Sequence, residues 1–579
     1  MTVAHFESFA GGRGWSATFG VPSRQRTAYE LNEVLPLLVD AEAATKAGSW
    51  VALALGYEAA PALDPALPVN EPSEFPLAWM AVFDERMLSV NGASAEVELS
   101  ASKWEPGIQR AEYDAAIGTI KDYIEAGDTY QVNFTFPLRG SVTGDAFSSF
   151  SRIAASQGGA YSAYLDIGTH KIMSFSPELF FEARGDQLVT RPMKGTMKRG
   201  RWTEEDLERI DQLKASEKDR AENVMIVDLL RNDLGKVAEF GSVRVTELFA
   251  VERLTRALQM TSTVTATRRA GVTLVDVIRA LFPCGSVTGA PKRRSMEIIR
   301  DLEREPREIY TGAIGILSPN GDAVFNVAIR TLVIDSRTGA ATFNVGGGIT
   351  WDSVTTGEYE EALLKAQFLI HPWPEFDLLE TLELADGTYS LLERHLSRAR
   401  ESAGYFGFHW NEAKVATALD DICTSHPVGR WRARLTIDRS GVPSIELVSL
   451  QSTAKQLSVK FATSPVDDRD PLLFHKTTAR ARYNDELERC APCDDVIFWN
   501  ARGEVTESAI ANVVVSSDGK LWTPPRESGL LAGTFRNELI ARGQLFERPI
   551  TKEELARARS FCLINSVRGW MDALLVPAT

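Results

Sequence analysis

Two stretches of this 579-residue chain space their acids so that the side chains share one helix face. In SEKDRAENVMIVDLLRND, Asp219 and Glu222 stand three apart, and in GEYEEALLKAQF, Glu358, Glu361 and Lys365 stand three and then four apart. Such intervals align side chains on an α-helix. Val224, Ile226, Val227, Leu363, Leu364 and Phe368 give both segments apolar surface to bury. Either helix alone reads first as a solvated face with ordinary salt bridges. If the two faces meet, their carboxylates repel unless a cation lies between them, and hard oxygen donors that retain waters favour Mg²⁺.

Three further features lie between these stretches. The run Phe282-Pro-Cys-Gly-Ser-Val-Thr-Gly-Ala-Pro-Lys292 is a Gly- and Pro-punctuated loop leading into RRSMEIIRDLE, and backbone N–H groups at such a helix entrance suit an anion. Arg330 stands inside AVFNVAIRTLVI, which reads as one apolar strand, where a lone Arg calls for an acidic partner or a ligand. Gly346-Gly347-Gly348 permits close backbone approach.

Near the other end, Phe474-His-Lys-Thr-Thr-Ala-Arg480 places Lys476 at a strand end before a polar turn, and Glu507 lies between two β-like runs. Leu391-Leu-Glu-Arg-His-Leu-Ser-Arg398 reads as a helix with basic residues four apart, and Gly529-Leu-Leu-Ala-Gly-Thr-Phe-Arg536 opens the helix RNELIARG. Glu507 alone is a surface acid, and Gly533-Thr534 alone is an ordinary helix cap. Pyridoxal phosphate chemistry needs a Lys, an acid opposite the pyridine nitrogen, a phosphate cradle and Arg help, and each has a candidate here.

The elements that must carry these residues are legible in outline. The length implies two or more domains, and 44% hydrophobic with 24% charged residues fits a globular protein. His371-Pro372-Trp373-Pro374-Glu375 is the clearest seam, dividing residues 1–370 from 376–579. Tyr113, Ile117, Ile120 and Ile124 recur at helical spacing with Gly127 placed to end the helix, and Ser216 with Asp219 forms a capping pair for a long helix. TYQVNFTFPL, AYSAYLDI, KIMSFSPELFFEA, DQLVTRPM, TGAIGILSP and ATFNVGGGITW read as strands. Long antiparallel strands with helices outside indicate an α+β sandwich, and no GxGxxG or Walker motif is present.

The net charge of −15 argues against a nucleic-acid partner. No run suits a membrane span and the N-terminus lacks a signal-peptide core, so a cytoplasmic protein is expected. The cysteines are scattered, and Cys490-Ala-Pro-Cys493 has no second pair, so reduced thiols are expected rather than a zinc site.

The motifs SPELF (176–180), RPMKGT (191–196), KDRAENVMIVDLLRNDLG, LFPCGSVTGAPK, REIYTGAIG and GGGITWDSVTTGEYEEALLKA resemble the chorismate-binding enzymes. That family includes anthranilate synthase, aminodeoxychorismate synthase component I, isochorismate synthase and salicylate synthase. The resemblance implies an antiparallel β-sandwich with outer helices. It assigns Glu222 and Glu361 as Mg²⁺ ligands with Asp219 and Glu358 nearby, and Glu178 as the acid that protonates the departing C4 hydroxyl. Thr288, Tyr310, Arg330, Gly346, Gly347, Gly348 and Lys365 would bind substrate. An isolated Lys is usually a solvated surface group, but in this motif Lys194 matches aminodeoxychorismate synthases, where anthranilate synthases carry Ala. A neutral amine there can attack C2 of chorismate. Gln131 stands where water-using members place a Lys base, and Gln259 where several members place a His that assists pyruvate elimination.

The second part resembles the fold-type IV pyridoxal-phosphate family, an α+β fold that holds branched-chain and D-amino-acid aminotransferases and aminodeoxychorismate lyase. That resemblance makes Lys476 the Schiff-base residue and Glu507 the partner of the ring nitrogen. Arg398 and the amides of Thr534 and Phe535 would hold the phosphate, with Asn565-Ser566-Val567-Arg568-Gly569 near it. Gly-Thr-Phe replaces the usual Gly-Val/Ile-Thr, which puts the Thr hydroxyl contact in question. The combined expectation is amination of chorismate followed by pyruvate loss to 4-aminobenzoate. Ammonia would come from a separate class I glutamine amidotransferase, and the second domain would carry any homodimer contact. The alternative is an anthranilate synthase component fused to an aminotransferase-like domain.

Overall fold

The computed structural model describes residues 3–7, 16–87, 100–101, 103–157, 160–370, 373–450, 456–558 and 561–576. It contains two units, one of residues 1–198 and 209–373, the other of residues 199–208 and 374–579. Of the proline-marked seam, His371 and Pro372 lie outside the described residues.

The first unit is built on two antiparallel sheets. One runs from Gly289–Ala290 through Gln131–Thr143, Ala340–Ile349, Thr331–Asp335, His170–Ser176 and Tyr161–Asp166 to Ala4–Glu7 and Ala17–Phe19. The other runs from Met193–Lys198 through Ala257–Thr267, Gln187–Arg191, Leu179–Arg184, Ala323–Val327, Ala313–Leu317 and Trp50–Leu55 to Ala78–Phe83 and Arg24–Ala28. Phe6, Phe19 and Ile172 of the first sheet pack with Trp79, Phe83 and Ile314 of the second. Helices cover each outer face. Tyr113, Ile117 and Ile120 of helix Arg110–Glu125 meet Phe134 and Phe136 on one side, and Ile226 and Leu230 of helix Glu217–Gly235 join Phe181 and Val264 on the other. The order is therefore helix, sheet, sheet, helix, a sandwich with outer helices.

Local chemistry explains several boundaries. Gly127, at φ +80°, follows the Arg110–Glu125 helix in a conformation that favours glycine. Ser216 caps the Glu217–Gly235 helix, its hydroxyl accepting the Asp219 N–H at 3.3 Å.

Three stretches read as single strands are broken, the first being KIMSFSPELFFEA, which divides at Pro177 into His170–Ser176 of one sheet and Leu179–Arg184 of the other. AVFNVAIRTLVI forms Ala323–Val327 in one sheet and Thr331–Asp335 in the other, and Arg330 lies in the crossover at φ +51°. The expectation of an Arg within a strand is thus corrected: continuous apolarity reflects two buried strands, one in each sheet. DQLVTRPM breaks at Pro192, so that Gln187–Arg191 and Met193–Lys198 pair with different halves of Ala257–Thr267.

In the second unit, Leu378–Ala385, Thr388–Tyr389, Arg430–Ile437 and Pro443–Ser449 form a four-stranded antiparallel sheet carrying helix Leu392–Phe406. An eight-stranded sheet follows, with parallel pairings of Leu457–Phe461 to both Asp495–Trp499 and Gly569–Leu575. Its core includes Val459, Ile497, Val513 and Leu563. Among the described residues no helix is long and apolar enough to cross a membrane.

Candidate active sites

In the first unit, the bulge between Met193 and Thr196 presents Lys194. Gly195 adopts φ +92°, and a Cβ there would stand 3.0 Å from the Asp219 Cβ. Asn223 Nδ2 donates to the Lys194 carbonyl at 3.4 Å, and Ser262 Oγ donates to Asn223 Oδ1 at 2.5 Å. On the other side, Gln259 Nε2 donates to the Gly195 carbonyl at 2.9 Å, and Gln259 Oε1 accepts from Thr196 Oγ1 at 2.9 Å. Gln259, singled out by the missing His, thus holds the backbone that bears the lysine.

The Lys194 side chain is partly buried, and loss of solvent lowers the pKa of its amine despite the opposing charges of Glu222 and Glu178. A Cβ on Gly348 would stand 2.7 Å from Lys194 Nζ and 2.8 Å from Gln131 Nε2, so these three groups converge. Both amide atoms of Gln131 are buried and make no hydrogen bond. Glu178 is 3% exposed, and burial pushes its carboxyl up to about 7, opposed by a Ser286 hydrogen bond and the Lys194 charge. Its Oε1 has no partner. An amine biased toward neutrality beside a carboxyl biased toward protonation is suited to nucleophilic attack coupled to proton donation.

The carboxylate helices do approach one another. Burial raises the Glu222 pKa, with Asp219 and Glu358 adding to the rise against Lys194 and Lys218. Lys365 Nζ contacts Glu361 at 3.0 Å and donates to the Gly346 carbonyl at 2.9 Å. A Cβ on Gly347 would lie 3.5 Å from Glu358 Oε2 and 3.6 Å from Lys365 Nζ. Among the described residues no three acids gather into a single ligand group.

Among the described residues Arg330 has no side-chain ion-pair partner, and burial lowers its pKa to about 10. Tyr310 is buried, the Thr311 N–H after it donates to the Ala328 carbonyl at 3.0 Å, and the Phe175 N–H donates to the Arg330 carbonyl at 3.1 Å. Arg307 braces this region. It pairs with Glu303 at 2.7 Å and donates to the carbonyls of Asn133 at 2.6 Å and Val287 at 2.9 Å. Thr288 is fully buried, its hydroxyl engaged by the Cys284 and Gly285 carbonyls at 3.2 and 3.3 Å.

In the second unit, Lys476 follows the short 3₁₀ turn Pro471–Leu473 rather than ending a strand, because Thr477 makes only an isolated bridge to Leu378. The Leu379 N–H donates to the Lys476 carbonyl at 2.9 Å. Burial, aided by the charges of Arg398 and Arg480, depresses the Lys476 amine to about 8. Burial pushes Glu507, on strand Val505–Ser508, up to about 7. Its carboxylate accepts from Tyr483 Oη at 2.8 Å and from the Leu531 N–H at 3.3 Å.

Helix Thr534–Ala541 opens after Gly533, where a Cβ would stand 2.2 Å from Asn512 Oδ1. The Thr534 and Phe535 N–H groups belong to the first turn, which leaves amides without intrahelical acceptors. Thr534 Oγ1 meets His395 Nε2 at 3.1 Å, so the hydroxyl is turned to protein. Arg398 donates to Glu380 through Nε at 2.8 Å and Nη2 at 2.6 Å, and through Nη1 to the Ala532 carbonyl at 3.3 Å. A cavity of 440 Å³ is lined in part by Arg394, Arg398, His475, Ala532 and Thr534. Asn565 Oδ1 accepts from the N–H groups of Val567 and Arg568 at 3.0 and 2.8 Å, shaping the turn between the last two strands.

Sequence reasoning missed Glu380, His395 and Tyr483. Glu380 shares the inward phase of Leu378, Leu382 and Leu384, and His395 that of Ala399, Ser402 and Phe406. A charged or imidazole side chain at a core-facing position was the available signal.

Residues 11–371 match the family model described as chorismate binding enzyme, and residues 377–576 the one described as amino-transferase class IV. The class IV match implies pyridoxal phosphate. Aminodeoxychorismate synthase component 1 of Klebsiella aerogenes is 41% identical over 270 residues, covering 47% of this chain and 59% of that protein. Anthranilate synthase component 1 of Aquifex aeolicus is 38% identical over 275 residues, covering 48% and 55% respectively. The chain thus spans under two thirds of these relatives' lengths. The crystal structure of anthranilate synthase component I from Streptococcus pneumoniae aligns with a TM-score of 0.52 at 24% identity, covering 64% of this chain and 92% of that one, a likeness of fold.

Proposed function

This chain belongs to the chorismate binding enzyme family through residues 11–371, and on that premise we propose that its first unit aminates chorismate at C4. The product, 4-amino-4-deoxychorismate, then passes to the class IV unit, which eliminates pyruvate to leave 4-aminobenzoate for folate synthesis. The observation that carries this reading is Lys194, an amine with a lowered pKa between Glu178 and Glu222 and beside the unpartnered Gln131 amide.

The neutral Lys194 amine attacks C2 as the ring double bond shifts and the C4 hydroxyl leaves as water with the Glu178 proton. Ammonia then adds at C4, the double bond shifts back, and the Lys194 amine departs from C2. The balance is one ammonia gained and one water lost. Gln131 supports ammonia rather than water as the nucleophile, because an amide cannot serve as the base that water requires. Arg330, Tyr310, Thr288, Lys365 and the Gly346–Gly348 backbone would hold the substrate's carboxylates. Glu222 and Glu361, with Asp219 and Glu358, would hold Mg²⁺. Their oxygen donors suit it, and a divalent ion would offset the burial and, secondarily, the neighbouring acids that raise the Glu222 pKa. Bound there, it would neutralise a substrate carboxylate.

In the second unit, Lys476, Glu507, Arg398 and the Thr534 and Phe535 amides would hold pyridoxal phosphate, which supplies an electron sink when bound. The Lys476 amine, depressed to about 8, is suited to take the ring proton as the ring aromatises and to return one to the departing enolpyruvyl carbon. Burial raises the thiol pKa of four of the five cysteines, Cys284, Cys423, Cys490 and Cys562, which makes these four poor nucleophiles and supports ammonia delivery by a separate glutaminase.

The test is protein stripped of pyridoxal phosphate, given chorismate, Mg²⁺ and ammonium. It should accumulate 4-amino-4-deoxychorismate, whereas glutamine in place of ammonium should give no turnover. Turnover on glutamine alone, or no consumption of chorismate, overturns the reading.

A further inference from the structure

One buried carboxylate, Glu380, joins the two groups that would grip a phosphate. It is 2% exposed and lies on strand Leu378–Ala385. It receives two hydrogen bonds from Arg398 at 2.8 and 2.6 Å and contacts His395 Nδ1 at 2.6 Å. His395 is 1% exposed, and its other nitrogen, Nε2, lies 3.1 Å from Thr534 Oγ1 in the first turn of helix Thr534–Ala541. A single chain of contacts therefore runs from Arg398 through Glu380 and His395 to that helix entrance.

Resting on the pyridoxal phosphate reading above, we propose that Glu380 and His395 are positioning residues for the cofactor's phosphate, fixing the Arg398 guanidinium and the Thr534 helix entrance relative to each other. A guanidinium has five N–H donors. Three are engaged here, two by Glu380 and one by the Ala532 carbonyl, which leaves two for a ligand. Glu380 offsets much of the Arg398 charge, so the grip depends on where the remaining donors stand more than on net charge. Hydrogen bonds weaken steeply when donor and acceptor lose alignment. The Thr534 hydroxyl is turned to His395, which leaves the phosphate to backbone amides and Arg398.

A core ion pair that only stabilises the fold is the competing explanation, and a comparison of pyridoxal phosphate with pyridoxal separates the two. Spectral titration of the full chain gives both dissociation constants for wild type and for Glu380→Gln, His395→Asn and Thr534→Val. The last variant keeps the burial pattern and removes only the hydroxyl. Loss of hydrogen bonds to a charged phosphate should weaken pyridoxal phosphate by about 10- to 100-fold in the Glu380 and His395 variants, and by about 3-fold or more in Thr534→Val, while pyridoxal stays within about 2-fold. Equal weakening of both ligands, or no change in either, overturns the proposal. Should the two buried variants fail to fold, Thr534→Val decides by the same criterion. Wild type that does not prefer pyridoxal phosphate over pyridoxal refutes the cofactor reading itself, before any variant is considered.

Discussion

Replacing Gly348 by Ala probes the convergence at Lys194 with one methyl group. Gly348 has no positive φ, so alanine is compatible with its backbone. The new Cβ would stand 2.7 Å from Lys194 Nζ and 2.8 Å from Gln131 Nε2. Ordinary carbon–nitrogen contact needs about 3.5 Å, so the amine must retreat by roughly 0.8 Å, and a misplacement of that size costs about 100-fold in rate. The obstructing atoms are side-chain ends that can move, so the fold should survive. The assay is steady-state amination of chorismate with ammonium, alongside thermal melting and pyruvate release from supplied 4-amino-4-deoxychorismate. Amination should fall about 100-fold, with melting and pyruvate release unchanged. Gly347→Ala, where the nearest atom lies at 3.5 Å, should lose far less. Wild-type amination by folded Gly348→Ala refutes the placement of Lys194 as the nucleophile.

Three other outcomes follow from the same geometry. Glu178 must be protonated to release the C4 hydroxyl, and its carboxyl is pushed up to about 7, so amination normalised to free ammonia should decline as pH rises above about 7. Glu178→Gln should be slow and lack that decline, as a pH–rate profile would show. Arg307→Met strands the buried Glu303 carboxylate and should cost about 3–5 kcal/mol in chemical denaturation, part of it recovered when Glu303→Gln is added. Lys476→Ala should lose the visible absorption band that forms on adding pyridoxal phosphate, yet still consume chorismate at the wild-type rate.

Features set by local periodicity were legible in the sequence. The Tyr113–Ile124 spacing, the Ser216 cap and the paired acids all fall on the expected helices. Where two strands abut without a polar break, hydrophobic pattern alone cannot show that the chain changes sheets, and Arg330 therefore looks like a strand residue in the sequence. Nor does the pattern reveal how Lys194 is presented. That depends on the Gly195 conformation and on contacts to Asn223 and Gln259, which lie 29 and more positions away. Glu380 and Thr534 are joined through His395, 139 positions from the threonine. Such tertiary partners leave no spacing to read, although an acid in phase with Leu378 and Leu382 marks a core position that needs one.

Identification of the aromatic product tests the central claim most directly. Wild-type protein with chorismate, ammonium, Mg²⁺ and pyridoxal phosphate should yield 4-aminobenzoate and one equivalent of pyruvate. Formation of 2-aminobenzoate instead would contradict the assignment of Lys194 and place the first unit with the anthranilate synthases.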